Sequence, residues 1–207
     1  MDEAARTELE TAVRAMCDRG DHGEAAARLV RGYGPELFGF LAAFHRSDAD
    51  ANDAFSDLAE AVLRGLPRFA WQSTLRTWLY GIARNVSNKQ RRTDRRRRQR
   101  VGEAGDTTLA GVVQDVRTET AAFLRTEKRT RLQMLRDALP EDDRMLLVLR
   151  VDRALAWGDL ARVLHDEEGT APLDDAALTR EIARLRKRFQ LIKDRLRALA
   201  KREGLID

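Results

Sequence analysis

The 207-residue chain has a formal net charge of +4, with 43% hydrophobic, 35% charged and 6% aromatic residues. Ala, Leu, Arg and Glu, all good helix formers, are abundant, and there are only four prolines. This composition predicts thin, heavily solvated helical units, either one large domain or two small ones. The single cysteine, Cys17, excludes an internal disulfide and a cysteine-based zinc site within one chain.

Residues 1–28 are predicted to form an N-terminal helix and lead-in that end near residues 20–23. Helical periodicity then continues from residue 29 to about residue 87, with breaks expected at residues 32–35, 46–48 and 65–67. Ser47 or Asp48 is a suitable N-cap for a helix that runs to about Arg64. Ser73 is predicted to cap a further helix, whose apolar side carries Leu75, Trp78, Leu79, Ile82 and Val86.

Residues 99–118 contain three glycines with scattered Thr and Asp, which predicts a linker. Helices resume near residue 121, where Leu132, Leu135 and Leu139 form a short apolar face. Pro140, followed by three acidic residues, predicts the first turn of the next helix.

The last segment repeats apolar residues at steps of four and three, which predicts a long amphipathic helix: Leu178, Ile182, Leu185, Phe189, Ile192, Leu196 and Leu199. A coiled-coil seam would fit the same spacing. We interpret the stripe as the core face of a small bundle.

Charge is segregated along the chain. Up to Glu60 there are 13 acidic and 6 basic residues. Residues 89–100 then hold eight basic residues and one acidic residue, and residues 180–202 hold ten basic and two acidic. One-signed basic blocks indicate a polyanionic partner, because neutralised phosphates release condensed counterions. The alternative, solvated helix faces, usually mixes both signs.

No constellation of residues indicates catalysis. Residues 48–52 resemble the start of a calcium loop, but Asp53 and Ala59 stand where such a loop needs Gly and Glu. His22, His45 and His165 lie far apart and lack metal-ligand spacing. No nucleophile motif or Gly-rich phosphate loop is present. We therefore expect a protein that is not an enzyme and uses no cofactor or metal.

The helix after Ser73 carries a candidate nucleic-acid face. On a helical wheel, the side opposite its apolar residues is predicted to hold Arg76, Tyr80, Arg84, Ser87 and Arg91. Cations with an interleaved aromatic ring suit a single strand, since they supply charge for phosphates and a π-face for a base. Trp78 is interpreted mainly as a core residue, and Tyr80 is the better candidate for stacking.

The last two predicted helices suggest a second nucleic-acid face. Residues 156–164 predict a short helix, and the long helix after it presents polar residues opposite its apolar stripe: Arg180, Ala183, Arg184, Lys187 and Gln190, with Arg186 at the flank. This arrangement is typical of a helix-turn-helix, whose second helix enters the major groove. Alone the signal also fits an ordinary bundle with a basic helix.

These stretches together resemble the extracytoplasmic-function sigma factors. The likeness is strongest in ANDAFSDLAEAVLRGLPRF at residues 51–69 and in STLRTWLYGIARN at residues 73–85. It continues in LPEDDR at residues 139–144, in residues 157–164 and in RLRKRFQLIKDRLR at residues 184–197. It covers roughly residues 25–98 and 128–200.

The resemblance implies an all-α fold: two small helical domains joined by a flexible linker, the second a winged-helix-like helix-turn-helix without a sheet. Its implied boundaries are an N-terminal extension at 1–28, sigma region 2 at 29–98, a linker at 99–125 and sigma region 4 at 126–207. The implied function is to bind core RNA polymerase and direct promoter recognition and transcription initiation.

The resemblance also implies roles for individual residues. Contacts with polymerase would come from Asp50, Asp53 and Asp57. The melted −10 element would be bound by Arg68, Trp71, Ser73, Arg76, Trp78, Tyr80, Arg84 and Asn85. The −35 element would be read by Arg180, Arg184, Arg186, Lys187 and Gln190.

The chain departs from the family pattern in two places. Ser56 and Ala59 stand where the family often has Gln and Phe, so polymerase contacts are not carried over there. Residues 165–175 replace the short turn of a usual helix-turn-helix with a longer insertion, to which we assign no function.

Core RNA polymerase and promoter DNA are the expected partners, with an anti-sigma protein as a possible third. The acidic start of the chain lacks an apolar signal segment, and no run approaches the ~18 apolar residues of a membrane span. We therefore expect a cytoplasmic, nucleoid-associated protein without membrane insertion. The alternatives are a stand-alone helix-turn-helix regulator, which would bind duplex DNA without polymerase, and an adaptor without a nucleic-acid role.

Overall fold

A computed structural model of the chain describes residues 1–45, 47–97, 131–165 and 173–206, without the side chains of residues 91–97 and 131–133. These described residues form helices and no strand, which confirms the all-α prediction. The chain divides into two compact units, Met1–Arg125 and Thr126–Asp207. The predicted linker lies outside the described residues. No helix within the described ranges is long and apolar enough to cross a membrane.

The first unit contains four α-helices among its described residues: α1 (Glu3–Asp18), α2 (His22–Phe44), α3 (Asp48–Gly65) and α4 (Leu75–Arg97). A short 3-10 turn, Leu66–Arg68, follows α3. The predicted cap of α3 is confirmed, because the Ser47 hydroxyl accepts a hydrogen bond from the Asp50 backbone N–H at 3.0 Å. That bond satisfies one of the unpaired donors of the first helical turn.

Helix α2 runs unbroken through residues 32–35, so the break predicted there was wrong. Pro35 lacks the backbone N–H that would donate within the helix. The helix is nevertheless stabilised by buried apolar residues before and after Pro35, including Leu29 and Leu37. Gly32 serves close packing instead of a turn. A Cβ atom at this position would lie 2.3 Å from Leu9 Cδ2 of α1. The glycine therefore lets α1 approach α2 closely.

The core of the first unit lies between α2, α3 and α4. Phe38 of α2 meets Phe55 of α3 edge-to-face, with ring centroids 5.4 Å apart. Phe40 of α2 meets Tyr80 of α4 in the same way at 5.5 Å. Such pairs stabilise more than their buried area alone. Helix α4 is thus covered on more than one side.

The described part of the second unit contains α5 (Arg131–Asp137), α6 (Glu141–Leu147), a π-helical turn (Val148–Asp152), α7 (Trp157–His165) and α8 (Asp175–Arg202). The predicted helix start after Pro140 and the long final helix are both confirmed. Leu185 and Ile192 of α8 are buried, as the apolar stripe predicts. Arg188 of α8 donates to Asp143 of α6 at 2.6 Å, which fastens the two helices together.

The cap of α4 is Thr74, so the sequence-based choice of Ser73 was wrong by one residue. The Thr74 hydroxyl accepts from the Thr77 backbone N–H at 3.1 Å. The Ser73 hydroxyl instead donates to the Thr74 carbonyl oxygen at 3.3 Å. Thr74 therefore fixes where α4 begins and where the preceding loop ends.

We predict that Thr74→Ala lowers the free energy of unfolding by about 1 kcal/mol, because the Thr77 N–H loses its partner. The matched variant Ser73→Ala should cost less than about 0.5 kcal/mol. Urea unfolding followed by fluorescence checks this in a Trp157→Phe background, where Trp71 and Trp78 report on the first unit. A Ser73→Ala loss as large as that of Thr74→Ala would contradict the cap assignment.

Candidate nucleic-acid interfaces

Three aromatic side chains form a row beside the loop that precedes α4. The ring of Phe69 stacks on Trp78 of α4, with centroids 4.8 Å apart and planes inclined by 30°. Trp71 lies against the same Phe69 ring at 5.0 Å. Both tryptophans are only partly buried. This aromatic row, Phe69–Trp71–Trp78, therefore offers ring surface on which an unpaired base can stack.

Trp71 has an unusual backbone conformation. Its φ angle is +57°, in the left-handed backbone region that residues other than glycine rarely adopt. Residues held in this region store strain and tend to cluster at functional sites. The conformation thus strengthens the case for a role of the Trp71 loop.

Two cations accompany the aromatic row. Arg68, at the end of the 3-10 turn, is exposed. Arg14 of α1 places its guanidinium carbon 5.0 Å from the centre of the Trp71 ring. No sequence pattern connects Arg14 with this site, because only packing of α1 brings the two segments together.

The prediction that Tyr80 and Ser87 face outward was wrong. Tyr80 is fully buried, and its hydroxyl donates to Glu36 Oε1 at 2.8 Å. Ser87 is also fully buried, with its Oγ atom 3.1 Å from His45 Nε2. Both lie inside because α4 packs against α2 and α3 at once, which a one-sided helical wheel does not represent. Tyr80 is therefore not available to stack on a base.

Arg76 is engaged within the protein. Its Nε atom donates to Glu36 Oε1 at 2.9 Å, and its terminal Nη2 donates to the same oxygen. Its guanidinium also lies 5.4 Å from the centre of the Tyr80 ring. Only 17% of the side chain is exposed. Arg76 is thus an internal partner of Glu36, and the predicted Arg91 side chain lies outside the described residues.

The remaining predicted residues of α4 and its loop lie near the surface. Ser73, Arg84 and Asn85 are each half-buried. The backbone of α4 continues into the basic block as far as Arg97. The side chains of that block beyond Gln90 lie outside the described residues.

Helix α3 presents acidic residues along one face. Asp53 and Asp57 are exposed and Asp50 is half-buried, at a spacing that places all three on the same side. Gln90 of α4 donates to Asp57 Oδ2 at 3.4 Å. Although Asp57 is exposed overall, its carboxylate loses part of its hydration to the surrounding protein, which raises its pKa above the ordinary value. Ala59, by contrast, is buried and faces the core.

Helices α7 and α8 carry the second candidate face, and all five predicted residues on it are exposed: Arg180, Arg184, Arg186, Lys187 and Gln190. Arg184 Nε donates to Glu181 Oε2 at 2.8 Å, and this hydrogen bond lowers the pKa of Glu181. Arg186 lies 5.7 Å from the centre of the Trp157 ring. Residues 166–172, the greater part of the insertion before α8, lie outside the described residues.

Three of these five side chains are unengaged. Arg180, Lys187 and Gln190 make no hydrogen bond or ion pair with other described residues. They are the side chains that can bind phosphates or base edges without first breaking an internal contact. Within the described ranges, no group of three or more His, Cys, Asp or Glu residues is placed to hold a metal ion.

Comparison with known proteins identifies the family that the chain resembles. Residues 29–98 match the family described as Sigma-70 region 2. The chain is also 30% identical over 161 residues to the RNA polymerase sigma-H factor of Pseudomonas aeruginosa. That alignment covers 73% of this chain and 80% of its relative.

We predict that Tyr80→Phe lowers the free energy of unfolding by about 1.5–3 kcal/mol, because a hydrogen bond to a charged acceptor is lost. An exposed tyrosine would tolerate the same change within about 0.5 kcal/mol. Urea unfolding measures this loss. Tyr33→Phe is the matched variant, because the Tyr33 hydroxyl also donates to a carboxylate, that of Glu10, at 2.8 Å. If Tyr80→Phe leaves stability unchanged, the buried position is refuted.

Proposed function

The chain belongs to the sigma-70 family of RNA polymerase sigma factors, and we propose that its two helical units divide promoter recognition between them. As a sigma factor, the protein binds core RNA polymerase and directs it to promoters, where DNA-templated transcription begins. The observation that carries the division of labour is the aromatic row in one unit and the exposed cations of α8 in the other.

We propose that the protein is of the extracytoplasmic-function type and performs no catalytic step of its own. In this proposal residues 29–98 act as region 2, residues 126–207 act as region 4, and residues 99–125 link them. The match of residues 29–98 to the region 2 family supports the first assignment. The protein would act in the cytoplasm on the nucleoid, where its template lies.

The aromatic row is proposed to capture the melted −10 element. Partly exposed rings on Trp71 and Trp78 can each take a base that has left the duplex, which holds the strands apart. Arg68 lies next to the row and supplies charge for the phosphates. Flanking contacts are assigned to Ser73, Arg84 and Asn85. Arg76 and Tyr80 instead hold α4 in place from within.

Helix α8 is proposed to read the −35 element in duplex form. The unengaged Arg180, Lys187 and Gln190 suit this role, because Arg and Gln can bond base edges and Lys can bind phosphate. Arg184 and Arg186 are assigned to the sugar–phosphate backbone. More than half of the Arg184 side chain remains exposed despite its bond to Glu181.

The acidic face of α3 is proposed as the docking surface for core polymerase. Asp50, Asp53 and Asp57 would meet a basic surface, which favours rapid and specific association. We further propose that an anti-sigma protein restrains the chain by covering this face.

Run-off transcription with purified core polymerase tests the function. Genomic DNA and the region upstream of the protein's own gene serve as templates, and a promoter-specific transcript should appear only when the protein is added. A gel shift on the same promoter, with and without core polymerase, separates a stand-alone regulator, which would bind the duplex tightly by itself. Absence of any specific transcript would refute the proposal.

We predict that the two units fail in different steps when their contacts are removed. Trp71→Ala should weaken strand opening by about 1–3 kcal/mol, the contribution of one stacked base. Arg180→Ala with Lys187→Ala should instead weaken use of the upstream element. Permanganate footprinting of the −10 thymines measures opening, and promoters with and without an intact −35 element measure the second effect. Equal loss of opening in both variants would contradict the division.

The matched control is Arg28→Ala, which removes an exposed cation from α2 of the first unit. It should affect neither step. A loss comparable to that of Trp71→Ala would show that opening responds to changes in this unit away from the aromatic row, and would contradict the assignment of opening to the row.

A further inference from the structure

Helix α1 brings one side chain to the aromatic row. Arg14 lies with its guanidinium carbon 5.0 Å from the centre of the Trp71 ring. It makes no ion pair with a carboxylate among the described residues. Among aromatic side chains, tryptophan is the best partner for a cation, and arginine is the cation found most often in such pairs. The contact therefore links α1 to the Trp71 loop.

Helix α1 is itself firmly held, so Arg14 approaches from a fixed base. The neighbouring residue Val13 is fully buried, and Leu9 packs into the space above Gly32 of α2. Tyr33 of α2 also donates its hydroxyl to Glu10 at 2.8 Å. These contacts fix the position and rotation of α1 on the first unit. Arg14 can thus act as a stable support.

Trp71 needs such support. Its backbone lies at a φ angle of +57°, a conformation that persists only where the surroundings hold it. On one side the ring meets Phe69, which is stacked on Trp78 and so fastened to α4. Arg14 supplies a second contact from α1. The ring is therefore held from two helices that are distant in sequence.

We propose that Arg14 is a positioning residue, which holds the Trp71 ring ready to receive a base of the opened −10 strand. This inference rests on the proposed role of Trp71. It extends that role to a helix outside the residues that match region 2, so that α1 takes part in promoter opening through a side-chain contact. The loop is then ordered when the protein folds, so the free-energy cost of ordering it does not reduce the affinity for DNA.

Arginine suits this role better than lysine. Its planar guanidinium lies flat on an aromatic ring, whereas the lysine ammonium is a compact, strongly hydrated charge. Because Arg14 is exposed, its charge could also reach a DNA phosphate directly. That direct role is the competing explanation, and the experiments are chosen to separate the two.

The first experiment measures the Trp71 ring in the free protein. The chain has three tryptophans, so Trp78→Phe with Trp157→Phe leaves Trp71 as the only one. In this background Arg14→Ala should increase acrylamide quenching of Trp71 fluorescence, and Arg14→Lys should lie between. Arg28→Ala, which removes an exposed cation from α2, should leave quenching unchanged. Equal quenching with and without Arg14 would overturn the proposal.

The second experiment is a double-mutant cycle in the holoenzyme, with the native tryptophans and the promoter found by run-off transcription. Arg14→Ala should reduce permanganate reactivity of the −10 thymines about two- to fivefold, the loss expected for one exposed cation–π contact. In a Trp71→Ala background the same change should have no further effect, because the ring it positions is gone. Core-polymerase binding should be unchanged by Arg14→Ala, and the protein should remain folded with at most a small decrease in Tm, since one exposed contact is lost.

Each other outcome has a definite meaning. If Arg14→Ala reduces opening equally with and without Trp71, Arg14 contacts DNA by itself and the positioning role is refuted. If Trp71→Ala impairs opening but Arg14→Ala does not, the inference fails while the proposed −10 site stands. If Trp71→Ala has no effect on opening, both the site and the inference fail.

Discussion

The carboxylate of Glu36 is the constraint on which the first unit depends. Placed on α2, it accepts hydrogen bonds from Arg76 and Tyr80 of α4 in a partly buried setting. Removing one partner of a buried ion pair is costly, because the other charge is left without compensation. The cluster therefore fixes the rotation of α4 against α2. Since Trp78 lies between these two residues in sequence, its ring is oriented by the same bonds.

The second unit uses the same device to orient its basic helix. The carboxylate of Asp143 on α6 accepts a hydrogen bond from Arg188, and its Oδ2 atom lies 3.7 Å from Nη1 of Arg195. Two cations of α8 are therefore engaged in internal contacts. Arg180 and Lys187 remain exposed on α8. A basic block in a sequence thus contains two kinds of cation. Some hold the helix in place through internal ion pairs, and others stay exposed and can bind a polyanion.

The sequence predicted much of the fold but less of the site. Ser47 and Pro140 were recognisable helix starts because their local chemistry alone determines that role. Tyr80 was misplaced, since a helical wheel gives angles but not the number of neighbours that cover a helix. Thr74 and Ser73 are adjacent hydroxyl residues, and only the loop backbone decides between them. Arg14 and Trp71 are connected by tertiary packing, for which the sequence holds no local signal.

The distribution of free and engaged cations bears on how such a protein selects promoters. Affinity for DNA grows with the number of phosphates neutralised, and here internal contacts engage Arg76, Arg184 and Arg188. Under the proposed division of promoter recognition, each face alone is then a weak DNA-binding surface. Held together on one polymerase, the two faces act at high effective concentration on the same DNA. In this proposal, weak separate contacts favour DNA sites that satisfy both faces over sites that satisfy only one.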